Sequence, residues 1–127
     1  MHKLHIVDIQ EDGQNWLAKS HEWLPNDVAK DLNPGARLLV DSDGFAFIYI
    51  LENETGFHHI IFHREMWPVL RKIYESKKPI VVELQQNVKK ELFQFQEELS
   101  FLLENIEGNG NYGEKFEQAV RTAFTFE

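Results

Sequence analysis

The stretch Arg37–His63, RLLVDSDGFAFIYILENETGFHHIIFH, sets three apolar runs end to end with only turn residues between them. Leu38, Leu39 and Val40 run into Asp41-Ser42-Asp43-Gly44, after which Phe45, Phe47, Tyr49 and Leu51 alternate with Ala46, Ile48 and Ile50. Aromatic and β-branched residues at this density suit a pleated strand, and here both phases of the alternation are apolar. An Asp-Gly pair between two such runs is a hairpin signal, with Gly44 expected to supply a positive φ. Asn53-Glu54-Thr55-Gly56 does the same before Phe57–Phe62. The pattern predicts a three-stranded antiparallel meander with the middle strand central. A strand apolar on both faces also asks the rest of the chain for cover on both.

Upstream, Leu4, Ile6 and Asp8 alternate with His5, Val7 and Ile9 in a first strand, Glu11–Asn15 forms a turn, and Trp16-Leu17-Ala18 is a second short strand. Residues 19–36, with Trp23-Leu24-Pro25 and Asn33-Pro34-Gly35, read as a loop or a single helical turn. Past the meander the apolar period changes from two to about 3.6, placing Met66, Val69, Leu70 and Ile73 on one helical face. Pro68 falls in that helix's first turn, where its missing N–H costs nothing. Lys77-Lys78-Pro79 ends the helix, and Ile80, Val81, Val82 and Leu84 make a strand that either joins the sheet in parallel or closes it as an edge. Residues 88–94 suit strand or helix equally, a helix is secure over Phe95–Ile106, and a last one spans Glu114–Phe124. The expected fold is α+β, a single domain over residues 1–127. Its sheet is mainly antiparallel, of about five or six strands around the central meander, covered by two or three helices from the C-terminal half.

With 13 basic against 21 acidic residues, a net charge of -8 and no run of Lys or Arg beyond two, the surface repels a phosphate backbone and argues against nucleic acid as a partner. Arg71, Lys72, Lys77 and Lys78 read as a solvated basic face rather than a docking site for an acidic partner. The absence of cysteine removes disulfides and thiolate metal sites. No window resembles a signal peptide or a membrane span, so a cytoplasmic protein with no membrane partner is expected.

Four constellations invite a chemical reading. Asp41-Ser42-Asp43-Gly44 after an apolar strand looks like the opening motif of haloacid-dehalogenase-type phosphotransferases, whose paired aspartates act as nucleophile and general acid/base beside a magnesium ion. Here a second strand follows where that family has a helix, and a hairpin turn is the stronger reading. The same residues cannot close a calcium loop, because Leu39 and Ile50 occupy essential ligand positions. His58, His59 and His63 lie on a strand, which sets His59 and His63 about 13 Å apart, so a metal would need ligands from other strands, such as His5 or Asp43. No metal is assigned. Finally, Gly108-Asn109-Gly110-Asn111-Tyr112-Gly113 contains G-x-G-x-x-G but follows a helix, not a strand, which makes it a helix-to-helix linker before a dinucleotide loop. Its backbone N–H groups could still hold a small anion. Ser20, Ser42, Ser76 and Ser100 lie in no nucleophile frame, so no catalytic residue is assigned.

From about Leu38 to Phe124 the chain resembles the YjbL-like proteins of Bacillus-type Firmicutes, the uncharacterised protein family numbered 0738. The likeness rests on Leu39-Val40-Asp41-Ser42-Asp43, on Tyr49-Ile50-Leu51-Glu52-Asn53-Glu54, and most specifically on Glu104-Asn105-Ile106-Glu107-Gly108-Asn109 with Asn111-Tyr112-Gly113-Glu114. This resemblance implies a small cytosolic bacterial protein and brings neither catalytic residues nor a cofactor.

Two functional classes remain. The favoured one is a non-enzymatic binding or regulatory module acting through protein contact, with the sheet's apolar face or an aromatic edge around Trp16, Trp23 and Trp67 as the contact, and a homodimer as one form of it. The alternative is a small-ligand or phosphate-binding protein, or a metal-dependent phosphohydrolase, built on Asp41, Asp43, Asn109, Gly110, Asn111 and Tyr112. It requires the Asp41–Asp43 turn and the Gly108–Gly113 loop to approach one another.

Overall fold

A computed structural model describes residues 2–124 of the chain. Among these, seven strands and four α-helices follow one another as β1 (Lys3–Asp12), β2 (Asn15–Ser20), α1 (Asn26–Asp31), β3 (Asn33–Asp41), β4 (Ala46–Asn53), β5 (Gly56–His63), α2 (Trp67–Ser76), β6 (Ile80–Gln85), β7 (Val88–Glu91), α3 (Phe95–Ile106) and α4 (Glu114–Phe124). The strands form one sheet in the order β3-β4-β5-β1-β2-β6-β7. The meander is as the sequence predicts, with β4 antiparallel to both neighbours.

The sheet is mixed, with more strands than expected. β1 runs parallel to β5 through Lys3–His5, and β2 runs parallel to β6 through Trp16–Ala18. Such pairings join residues far apart in sequence and carry no turn signature, so local pattern cannot announce them. The extra strand, β7, is an edge of alternating half-buried and exposed residues, Val88-Lys89-Lys90-Glu91. Charged side chains there discourage edge-to-edge pairing, and of the two readings open for residues 88–94 the strand holds over Val88–Glu91. α1 is the helix outside the expected C-terminal set.

β1 corrects the simple alternation. Leu4 and Ile6 are buried and Val7 faces outward as the alternation predicts, but the register shifts between Ile6 and Asp8 and brings Ile9, not Asp8, into the core. A bulge of this kind reverses the phase of a strand and lets it serve two partners of different direction. Residues 3–5 pair with β5, and residues 8–12 continue alongside β2.

The helices gather on one face. Trp67, Leu70 and Ile73 of α2, Phe95, Leu99 and Ile106 of α3, and Phe116, Val120 and Phe124 of α4 form one buried cluster with Leu38, Phe47, Tyr49, Leu51, Ile60 and Phe62 of the meander. Burying one side chain of this size contributes about 1.5–3 kcal/mol. The edge strands β3 and β7 approach each other as the sheet curls. α3 lies along that seam, where Glu98 Oε1 accepts the Leu38 N–H at 3.1 Å.

At the β3–β4 turn the positive φ falls on Phe45 (51°), not on Gly44. Gly44 is small for another reason: a Cβ there would meet the Asp41 carboxylate, whose Oδ1 already accepts the Gly44 N–H at 3.0 Å.

Candidate functional site

Only one face of β4 receives the helical cover its sequence asks for. Cross-strand partners share a face of the sheet, and the register aligns Leu39 with Ile48, Ile48 with Ile61, and Ile61 with His5. That row crosses four strands on the side away from the helices. Ala46, Ile50 and Ile61 on this outer face are buried, yet stand apart from the main core cluster. Around them Leu39 is 45% exposed, Phe57 49% and Val7 41%. The Arg37 guanidinium lies 5.7 Å from the centre of the Phe57 ring. An apolar centre ringed by Arg37, Lys3, Glu52 and three histidines has the composition of a contact surface.

The tryptophans divide. Trp16 and Trp67 are core residues whose indole N–H groups donate to Ser76 Oγ at 3.0 Å and to the Phe62 carbonyl at 3.3 Å. Trp23 alone of the three is exposed, so an aromatic edge made of all three does not exist.

The histidines lie where β1 meets β5. His5 Nδ1 and His63 Nε2 are 2.8 Å apart, with rings 5° from parallel and centroids 5.0 Å apart. Because 2.8 Å is shorter than the spacing of stacked rings, the two imidazoles meet edge to edge, one nitrogen donating and the other accepting. On the inner face His58 Nδ1 accepts the His2 backbone N–H at 3.1 Å, while His59 N donates to the His2 carbonyl at 2.9 Å. Among the described residues, no three histidine or acidic side chains converge on a point that would hold a metal ion.

A protein-family model described as a family of unknown function, UPF0738, matches residues 4–124. The chain belongs to UPF0738. It is 44% identical over 123 residues to the UPF0738 protein of Shouchella clausii, covering 97% of this chain and 98% of that one. It is 42% identical over 115 residues to the UPF0738 protein of Geobacillus thermodenitrificans, covering 91% and 89%. YjbL of Bacillus subtilis is 45% identical over 92 residues, 72% of this chain and 74% of that protein. No solved structure matches the chain. The resemblance seen between Leu38 and Phe124 thus extends almost to the start of the chain.

In this UPF0738 protein, the Asp41–Asp43 turn and the Gly108–Gly113 loop share a neighbour. Phe116 packs against Phe45 with centroids 5.7 Å apart and against Tyr112 with centroids 6.1 Å apart. Donors in the loop are largely engaged: Asn111 N–H bonds Asn109 Oδ1, Gly113 N–H bonds the Gly110 carbonyl, and Gly108 N–H bonds Glu117 Oε2 at 2.6 Å. That last bond, with help from Arg121, holds the Glu117 carboxyl below its usual range. The loop therefore already carries an anion, supplied by α4 itself.

This chain should lose stability in mild acid. Burial, and then the nearby charge of His2, lowers the His58 pKa from the ordinary 6.5; burial, and then Lys3, does the same to His59. The unfolded chain therefore takes up more protons below about pH 6.5, so this stabilisation is present above that pH and is lost as pH falls. The melting temperature should decline between about pH 6.5 and 5, before the carboxylates titrate. His58→Gln should flatten the decline; an unchanged slope in that variant would assign it to other groups.

Proposed function

We propose that this UPF0738 protein is a non-enzymatic binding module that acts through protein contact, and that the outer face of β3, β4, β5 and β1 is the contact surface. One observation carries the reading: Leu39, Ile48 and Ile61 stand in line across three strands with no helix over them, bordered by exposed Phe57 and Val7. Solvated sheet faces ordinarily alternate to polar residues; a row that stays apolar is more useful covered than wet. A second copy of the chain is the simplest cover, since a two-fold interface needs only one self-complementary patch. A cytoplasmic location accords with a chain that contains no cysteine.

Light scattering on the purified chain tests this. The expected mass is twice that of one chain, falling to a single chain in Ile48→Lys, with the circular dichroism spectrum retained. A monomer at every concentration would remove self-association and leave only a different protein as the occupant.

A second reading keeps Asp41, Asp43, Asn109, Gly110, Asn111 and Tyr112 as a ligand or phosphate site. Its support is that Phe116 packs against both Tyr112 of the loop and Phe45, two residues beyond Asp43. The Gly108 N–H already engaged by Glu117 makes it the weaker of the two.

A further inference from the structure

From the facing nitrogens of His5 on β1 and His63 on β5, we infer that this chain carries a two-histidine surface site for a divalent transition metal, copper(II) above nickel(II) and zinc. The geometry comes from the parallel pairing that the sequence could not announce. His5 is registered with Ile61, and His63 lies two residues further along the same face. Both side chains are half-buried, so the pair is held by its strands while one side of it meets solvent.

Metal–nitrogen bonds to imidazole are about 2.0–2.1 Å long. Donors 2.8 Å apart subtend about 85° at such an ion. That is close to the right angle between neighbouring ligands in a tetragonal or octahedral centre, the preference of copper(II) and nickel(II). Tetrahedral zinc would need the nitrogens spread to about 3.3 Å, which costs a displacement of the strands. The order of stability along the divalent series points the same way. Ring rotation in place, with the shared proton relocated through solvent to the far nitrogen of the donor ring, frees both facing nitrogens for the ion and converts the hydrogen bond into a chelate.

No third histidine, aspartate or glutamate completes a cage among the described residues, so water fills the other positions. The Glu22 carboxylate beside His5 is tied up: its Oε1 accepts from the His5 N–H at 3.0 Å and from the Ser20 hydroxyl. The site is therefore an exchangeable clip and not a structural centre, and the fold stands without it.

Copper(II), nickel(II) and zinc are titrated separately into metal-stripped protein by calorimetry, with electron paramagnetic resonance on the copper sample. One copper ion per chain is expected, with two nitrogens in its equatorial plane and weaker binding of nickel and zinc. His5→Gln and His63→Gln should each weaken copper binding by about tenfold or more and leave one fewer equatorial nitrogen, with the metal-free melting curve showing each variant folded. His59→Gln, on the same face but outside the pair, should bind as the parent does. The chain's amino terminus with His2 is the rival copper site: loss of binding in His2→Gln with retention in His63→Gln overturns the assignment, as does parent-like binding in both pair variants.

Discussion

Replacing Trp67 with alanine is expected to lower the unfolding free energy by about 3–5 kcal/mol, the range for a fully buried indole. Trp67 is 0% exposed and opens α2 where the chain leaves the sheet. Its ring lies 5.2 Å from Phe47, 5.7 Å from Phe116 and 6.2 Å from Phe124, so one side chain joins β4 to both ends of α4. Its N–H also satisfies the Phe62 carbonyl, which alanine would leave without that donor. For a chain of this size each kcal/mol moves the melting temperature by roughly 3–5 °C, so a fall of more than about 10 °C follows. Urea unfolding followed by circular dichroism measures it. Trp67→Phe, which keeps a ring but not the donor, should lose less. A loss under about 1 kcal/mol in the alanine variant would mean that α4 collapses into the gap and that the aromatic cluster is redundant.

The parts of this fold that were legible in the sequence are those with local signatures. The meander carried two turn sequences and an apolar run of period two; α3 and α4 carried a period of 3.6 over three turns each, and both occupy the predicted spans Phe95–Ile106 and Glu114–Phe124. The parts that were not legible are long-range or polar. β1 with β5 and β2 with β6 meet without a connecting turn, so the sequence leaves β6 open between a parallel and an edge position, and the charged edge β7 leaves residues 88–94 open between strand and helix. The candidate surface was half visible. Ile48 and Ile50 sit in the phase opposite Phe47 and Tyr49, which the sequence reads as a second buried face. Only the placement of the helices shows that no helix covers it. His5 and His63 were named separately as donors, but their meeting depends on the parallel register, and so on a pairing invisible to periodicity.

The second large effect belongs to Tyr49, whose ring is core and whose hydroxyl closes the seam between the sheet's edges. The hydroxyl donates to the Phe93 carbonyl at 2.7 Å, beyond β7, and accepts the Ala36 N–H at 3.2 Å, within the irregular part of β3. Burial pushes its pKa up to about 12, so it remains a neutral donor at any working pH. Ala36 has a φ of 53°, a strained value for a residue with a Cβ, and the bond to Tyr49 helps hold it there. Tyr49→Phe keeps the ring and strands one N–H and one carbonyl; at about 1–3 kcal/mol for each unsatisfied group, a loss of about 2–6 kcal/mol is expected. Amide exchange separates this from a general loosening: Ala36 should lose protection first, while Ile60 and Phe62 in the interior strand β5 keep theirs. A loss below about 0.5 kcal/mol with Ala36 still protected would show that the Glu98–Leu38 bond and α3 close the seam unaided.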